Sequence, residues 1–135
     1  MTNSILRISD AASLALHTMA YLAKSPDRMV STHEIATALS VSENHLAKVR
    51  QRLAKAGLVD ATRGPGGGFR LSRQPGAITL LEVYEAIEGE FKPAACMLHR
   101  PACDGTNCIL GGLVASVNLQ VLDYLSNTTL QQLAV

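Results

Sequence analysis

Apolar residues recur at helical spacing through most of this chain, and one short stretch alternates around a run of glycines. Ser9 and Asp10 start a helix over residues 11–23, with Leu14 or Ala15, Met19 and Leu22 on its inner side. Ser25-Pro26-Asp27 ends it. Ser31 with Glu34 three residues later predicts a capping box, opening a short helix whose apolar side is Ile35, Ala36 and Leu39. After a break at Ser40-Val41, Ser42 caps a third helix running to about Ala56. Leu46, Val49 and Leu53 face inward there, and Asn44, His45, Lys48 and Arg52 face outward. Gly57 suits a left-handed stop. Residues 58–63 and 69–72 then read as two β runs joined by Gly64-Pro65-Gly66-Gly67-Gly68, a hairpin. Pro75-Gly76 is a turn, and Thr79 with Glu82 predicts a second capping box before a helix ending near Gly89. Residues 91–108 hold Pro93, Pro101, Gly105 and every cysteine of the chain, and read as a loop. A helix over residues 109–125, about 25 Å long at 1.5 Å per residue, carries a near-heptad stripe. The stripe is Leu110, Leu113 or Val114, Val117, Val121, and Tyr124 or Leu125, and it suits a partner helix. Thr128 or Thr129 caps a last short turn.

The pattern predicts a mainly α protein with a small β-hairpin wing: a winged helix-turn-helix over residues 1–76, then a cysteine loop and a long C-terminal dimerisation helix over residues 77–135. Composition agrees. The chain has 135 residues, 47% hydrophobic but only 4% aromatic, which disfavours a β-sandwich and excludes a disordered chain. No apolar run reaches the roughly 18–20 residues of a membrane span. The first ten residues lack the basic start, apolar stretch and cleavage site of a signal peptide. The expectation is a cytoplasmic protein without a membrane partner, in which thiols serve metal or redox chemistry rather than a disulfide framework.

The net charge of +1 conceals an asymmetry. Residues 42–73 carry Lys48, Arg50, Arg52, Lys55, Arg63, Arg70 and Arg73 against Glu43 and Asp60, a local excess of +5. Such a block beside a helix-turn-helix is the electrostatic footprint of a nucleic-acid face. A reading helix places its N-terminal side chains at base edges; here those are Ser42, Asn44, His45 and Lys48. Asparagine matches adenine with two hydrogen bonds, and lysine reaches guanine or phosphate. At the wing, Gly66 and Gly67 permit close backbone approach, and Arg63 is sized for a narrow minor groove. Nucleotide binding is disfavoured, because the glycine run fits neither G-x-G-x-x-G nor G-x-x-x-x-G-K-[ST]. No Cys-His-Asn or Ser-His-Asp arrangement and no C-x-x-C pair is visible, so no enzyme is predicted.

Six segments taken in order carry a family resemblance: residues 14–23 (LALHTMAYLA), Glu34-Ile35-Ala36, Ala56-Gly57-Leu58-Val59, Arg63-Gly64-Pro65-Gly66-Gly67-Gly68-Phe69, Ile78-Thr79-Leu80 and Ala86-Ile87-Glu88-Gly89. Together they resemble the IscR/NsrR/CymR family of bacterial winged-helix repressors over roughly residues 9–130. The resemblance implies a homodimer crossed through the C-terminal helix and bound to a palindromic operator on double-stranded DNA. It places base or phosphate contacts on Ser42, Asn44, His45 and Lys48, and minor-groove contact on Arg63. A position that tunes sequence choice in one relative is Ala47 here, so no operator preference carries over.

Cys96, Cys103 and Cys108 are spaced C-x6-C-x4-C. Thiolates in a flexible loop suit iron–sulfur clusters and zinc. The resemblance implies an iron–sulfur cluster, two-iron two-sulfur ahead of four-iron four-sulfur, sensing iron supply, nitric oxide or redox state. The usual family spacing is nearer C-x5-C-x5-C. A histidine used by some relatives falls on Gly111 here, and an acidic first-helix ligand used by others falls on Ser13. One turn either side on the same helix face stand Asp10 and His17, and of these His17 is the first candidate for a fourth ligand. The alternatives are a metal-free thiol switch, control by a protein partner, and zinc held by Cys96, His99, Cys103 and Cys108.

Overall fold

A computed structural model describes residues 4–133. Helix α1 spans Asp10–Ala23, α2 Thr32–Leu39 and α3 Glu43–Lys55; strands β1 (Val59–Thr62) and β2 (Gly68–Leu71) follow. A 3-10 turn at Pro75–Ala77 leads to α4 (Leu80–Glu88), α5 (Leu113–Asn127) and α6 (Leu130–Leu133). The protein is mainly helical with one antiparallel hairpin, in the register Val59↔Leu71 through Thr62↔Gly68.

Local chemistry sets the helix starts. The Ser9, Ser31, Ser42 and Thr79 hydroxyls each accept the backbone N–H three residues on, in Ala12, Glu34, His45 and Glu82, at 3.0–3.2 Å. Two expectations change here. Neither capping box is reciprocal: Glu34 turns away to Arg28 and Tyr21, and Glu82 to Arg73, each forming a 2.7 Å ion pair instead. An arginine within reach outbids a single backbone amide for a carboxylate. The long C-terminal helix also begins at Leu113 rather than Ile109, because Gly111 and Gly112 are left-handed, with φ of +57° and +81°.

Between α2 and α3, Ser40 takes the left-handed conformation and the Val41 N–H closes onto the Ala36 carbonyl at 3.0 Å. That makes the tight turn of the helix-turn-helix. Leu46, Val49 and Leu53 of α3 are buried as expected, in one continuous core with Leu14, Met19 and Leu22 of α1 and with Val83 and Ile87 of α4. The core crosses residue 76 without a break and reaches Leu125 and Leu130 near the C-terminus. Leu130 is tied back by its N–H to the Ile78 carbonyl at 3.0 Å, and the Leu80 N–H donates to Thr128 at 2.9 Å.

The wing is fastened to the body by a contact the sequence pattern did not announce. Val30, ahead of α2, exchanges both backbone hydrogen bonds with Phe69, at 2.9 and 2.8 Å. Phe69 is fully buried beneath it. A Cβ on Gly68 would lie 2.1 Å from the Val30 carbonyl oxygen, so this approach requires glycine. Among the described residues no helix is long and apolar enough to cross a membrane.

Candidate nucleic-acid interface and cysteine loop

Helix α3 presents its polar side to solvent. Asn44 and Lys48 are exposed, and His45 is half-buried. The Ser42 hydroxyl already accepts the His45 N–H at 3.0 Å, which leaves its own proton and one lone pair to offer a partner. Glu43 is engaged by His33 of α2 at 3.3 Å, and Arg50 donates to Thr32 at 3.3 Å. These links bridge the two helices of the motif at its surface, above the buried packing of Ile35, Leu46 and Val49.

Carboxylates are distributed so that the polar face of α3 keeps its cations. Among the described residues, the lysines and arginines held in ion pairs are Arg28, Arg73 and Lys92, while His33 hydrogen-bonds Glu43. Lys48, Arg52 and Lys55 on α3 and Arg63 at the wing are exposed and outside those pairs. An uncompensated row of this kind is what phosphate neutralisation needs. The wing tip turns through a Gly67 N–H to Gly64 carbonyl bond of 2.9 Å, with Gly66 exposed at its crest and Gly67 half-buried.

Asp10, Ser13 and His17 lie along one face of α1, as their spacing predicts, and they line a groove of about 400 Å³ together with Leu39, Val41 and His45. The sequence did not place His45 there, because only tertiary packing sets α3 against α1. His17 is exposed, and its Nδ1–H donates to the Ser13 carbonyl at 2.7 Å. A carbonyl only accepts, so in the neutral ring the proton sits on Nδ1 and Nε2 keeps a free lone pair. That tautomer suits a ligand as well as a solvated histidine.

The cysteine segment lies between α4 and α5 and has no regular structure. Cys96 and Cys108 are half-exposed and Cys103 is exposed; all three are free thiols. The Leu98 N–H donates to Cys96 Sγ and the Leu110 N–H to Cys108 Sγ, each at 3.4 Å. The Leu110 amide holds the Cys108 thiol below its ordinary pKa against an opposing desolvation effect, with lesser help from the amides of Gly111 and Gly112. Amide donors onto sulfur also stabilise metal-bound thiolates. The donor set therefore fits a thiolate-held group. Among the described residues, however, no three His, Cys, Asp or Glu side chains stand close enough to grip one ion. The loop would have to gather its cysteines. His99, the alternative zinc ligand, is exposed on the same segment.

Comparison with known proteins accords with this arrangement. A family described as Rrf2, iron-dependent transcriptional regulator, matches residues 8–135. The NsrR regulator of Bacillus licheniformis is 32% identical over 135 residues, covering 95% of this chain and 92% of its own. IscR of Vibrio vulnificus is 32% identical over 120 residues, covering 89% and 67%. Among solved structures, CymR, the global cysteine regulator of B. subtilis, superposes with a TM-score of 0.80 at 30% identity, covering 96% and 97%. These relatives are transcriptional regulators and not enzymes.

Proposed function

The chain belongs to the Rrf2 family of DNA-binding transcriptional regulators, and from that premise we propose that it is a homodimeric cytoplasmic repressor whose cysteine loop senses iron–sulfur, redox or nitric oxide status. Residues 1–76 serve DNA and residues 77–135 serve sensing and dimerisation. Ser42, Asn44, His45 and Lys48 meet a major groove, and Arg63, Gly66 and Gly67 meet the adjoining minor groove or its phosphates. Two copies paired through α5 present two such faces to a palindromic operator. The exposed stripe of Leu110, Leu113, Val117 and Tyr124 supports that pairing.

The observation that carries the sensing half is the α1–α3 groove, which lines up Asp10 and His17 with His45 of the reading helix. A group held by Cys96, Cys103 and Cys108, and completed by His17 or Asp10 of either copy, would sit where it bears directly on α3. An iron–sulfur cluster, two-iron two-sulfur first, would supply a centre that oxidants and nitric oxide attack. The chain's own part is to shift the reading helices between two placements that bind the operator with different affinity.

Anaerobic purification followed by iron, sulfide and zinc analysis and an absorption spectrum tests this. A brown protein with iron and sulfide, whose affinity for the duplex upstream of its own gene changes on nitric oxide treatment, is expected. A colourless, iron-free protein with unchanged affinity removes the sensor and leaves the repressor. Stoichiometric zinc would favour the site that includes His99. The likeness to the cysteine regulator CymR favours a second reading, a metal-free thiol switch. It predicts iron-free protein whose DNA affinity responds to peroxide.

A further inference from the structure

The root of the cysteine loop is not loose. The Phe91 N–H donates to Glu85 Oε2 of α4 at 2.7 Å. The Phe91 ring stands edge-on to Tyr84, also of α4, with centroids 5.8 Å apart and planes at 63°. Asn118 Nδ2 of α5 donates to the Ala94 carbonyl at 2.9 Å. Cys96 lies just beyond this last tie. The other connections of α4 run toward DNA. Glu85 lines a groove of about 400 Å³ with Ala56 and Leu58, where α3 ends. Glu88 accepts the hydroxyl of Ser9, the residue that caps α1. The last turns of α4 therefore touch the loop stem, the end of the reading helix and the start of α1 together.

We infer that Glu85 and Asn118 are positioning residues that clamp the loop stem, residues 91–94, onto α4 and α5, so that a change at the thiols is delivered to α4 and through it to α3. This rests on the sensing role assigned above. A free stem would let the loop rearrange without moving anything else, since a perturbation shifts an equilibrium only through contacts that differ between its two states.

The test uses the full reduced chain and a duplex selected by it from a random library. The measured quantity is the ratio of Kd values before and after the cysteines are alkylated with N-ethylmaleimide. In the unmodified sequence the ratio is expected within about 5–150-fold, the usual range for coupled sites. Glu85→Ala and Asn118→Ala should each bring it toward one, with the affinity before alkylation unchanged within about twofold. Glu85→Gln keeps an acceptor oxygen for the Phe91 amide and should restore most of the ratio. Hydrogen exchange should show residues 90–95 losing protection in the alanine variants alone. If the alanine variants keep the full ratio, or lose starting affinity while keeping it, the clamp is overturned and sensing stands. A ratio of one in the unmodified sequence overturns both.

Discussion

The two halves of this molecule meet folding in opposite ways. From α1 through the wing, every helix starts on a hydroxyl cap and every element sinks apolar side chains into one core. From Glu88 to Tyr124 not one residue is buried, although the stretch is rich in apolar side chains and includes most of the longest helix. Leu113, Leu119 and Tyr124 are each 56% exposed. The first half is finished by its own chain. The second leaves apolar helix surface and free thiols open to solvent, the features on which the proposed pairing of α5 and the proposed group on the loop rest. A part that reads DNA gains from a rigid form, while a part that registers a chemical change must have two forms of similar energy.

The most drastic way to break this contrast is to deny α5 its partner. Leu113→Asp with Val117→Asp should convert a dimer to a monomer in sedimentation. Operator affinity should then fall by about 100-fold or more, because the second half-site loses its tethered reader. A dimer that persists would mean α5 is not the interface. Next comes Gly68→Ala, which sets a Cβ against the Val30 backbone and should cost about 2–4 kcal/mol in chemical unfolding. The same change at Gly105, which has positive φ but open space around it, should cost only about 1 kcal/mol. Equal costs would erase the distinction between finished and unfinished halves. On the reading face, Lys48→Ala and Arg63→Ala should each weaken binding evenly across sequences. Each should flatten the slope of log K against log salt by about one. An unchanged slope would remove that residue from the interface.

The smallest effect sharpens the contrast from the rigid side. Arg28, and then the Tyr21 hydroxyl, hold the Glu34 carboxyl down to about 2. A depressed carboxylate contributes stability above its ordinary pKa, and loses it as pH falls from about 4.5 to about 2. Glu34→Gln should therefore melt slightly below the unsubstituted protein at pH 7, with the gap closing by pH 2. The pair is partly solvent-exposed, so the gap is small. A gap that persists at pH 2 would show that the ion pair is not its source.

Much of the rigid half was legible beforehand, and for a local reason. A serine three residues ahead of the amide it caps, a leucine every third or fourth position and a glycine two positions past the last helical lysine act within one turn of helix. So α1, α2, α3, the hairpin and α4 could be placed from neighbours in sequence. Glu34 and Glu82 were misassigned as box partners because their arginines lie six and nine residues away, outside any local motif. Apolar spacing continues through Ile109 and Leu110 and predicts too early a start for α5, while Gly111 and Gly112 take left-handed conformations that a glycine adopts without steric cost.

What the sequence determined alone was which residues are candidates for chemistry: three thiols on one loop, cations gathered on one helix and wing, and an apolar stripe suited to a partner helix. Those follow from composition and spacing. Only the tertiary structure decided what they adjoin. It brought His45 into one groove with Asp10 and His17, sewed the wing to Val30 through Phe69, and tied the loop stem to α4 and α5. Each of these contacts joins residues more than about twenty positions apart or on separate elements, or depends on which of two acceptors lies nearer. Packing of the whole core settles such choices, and no periodicity records them.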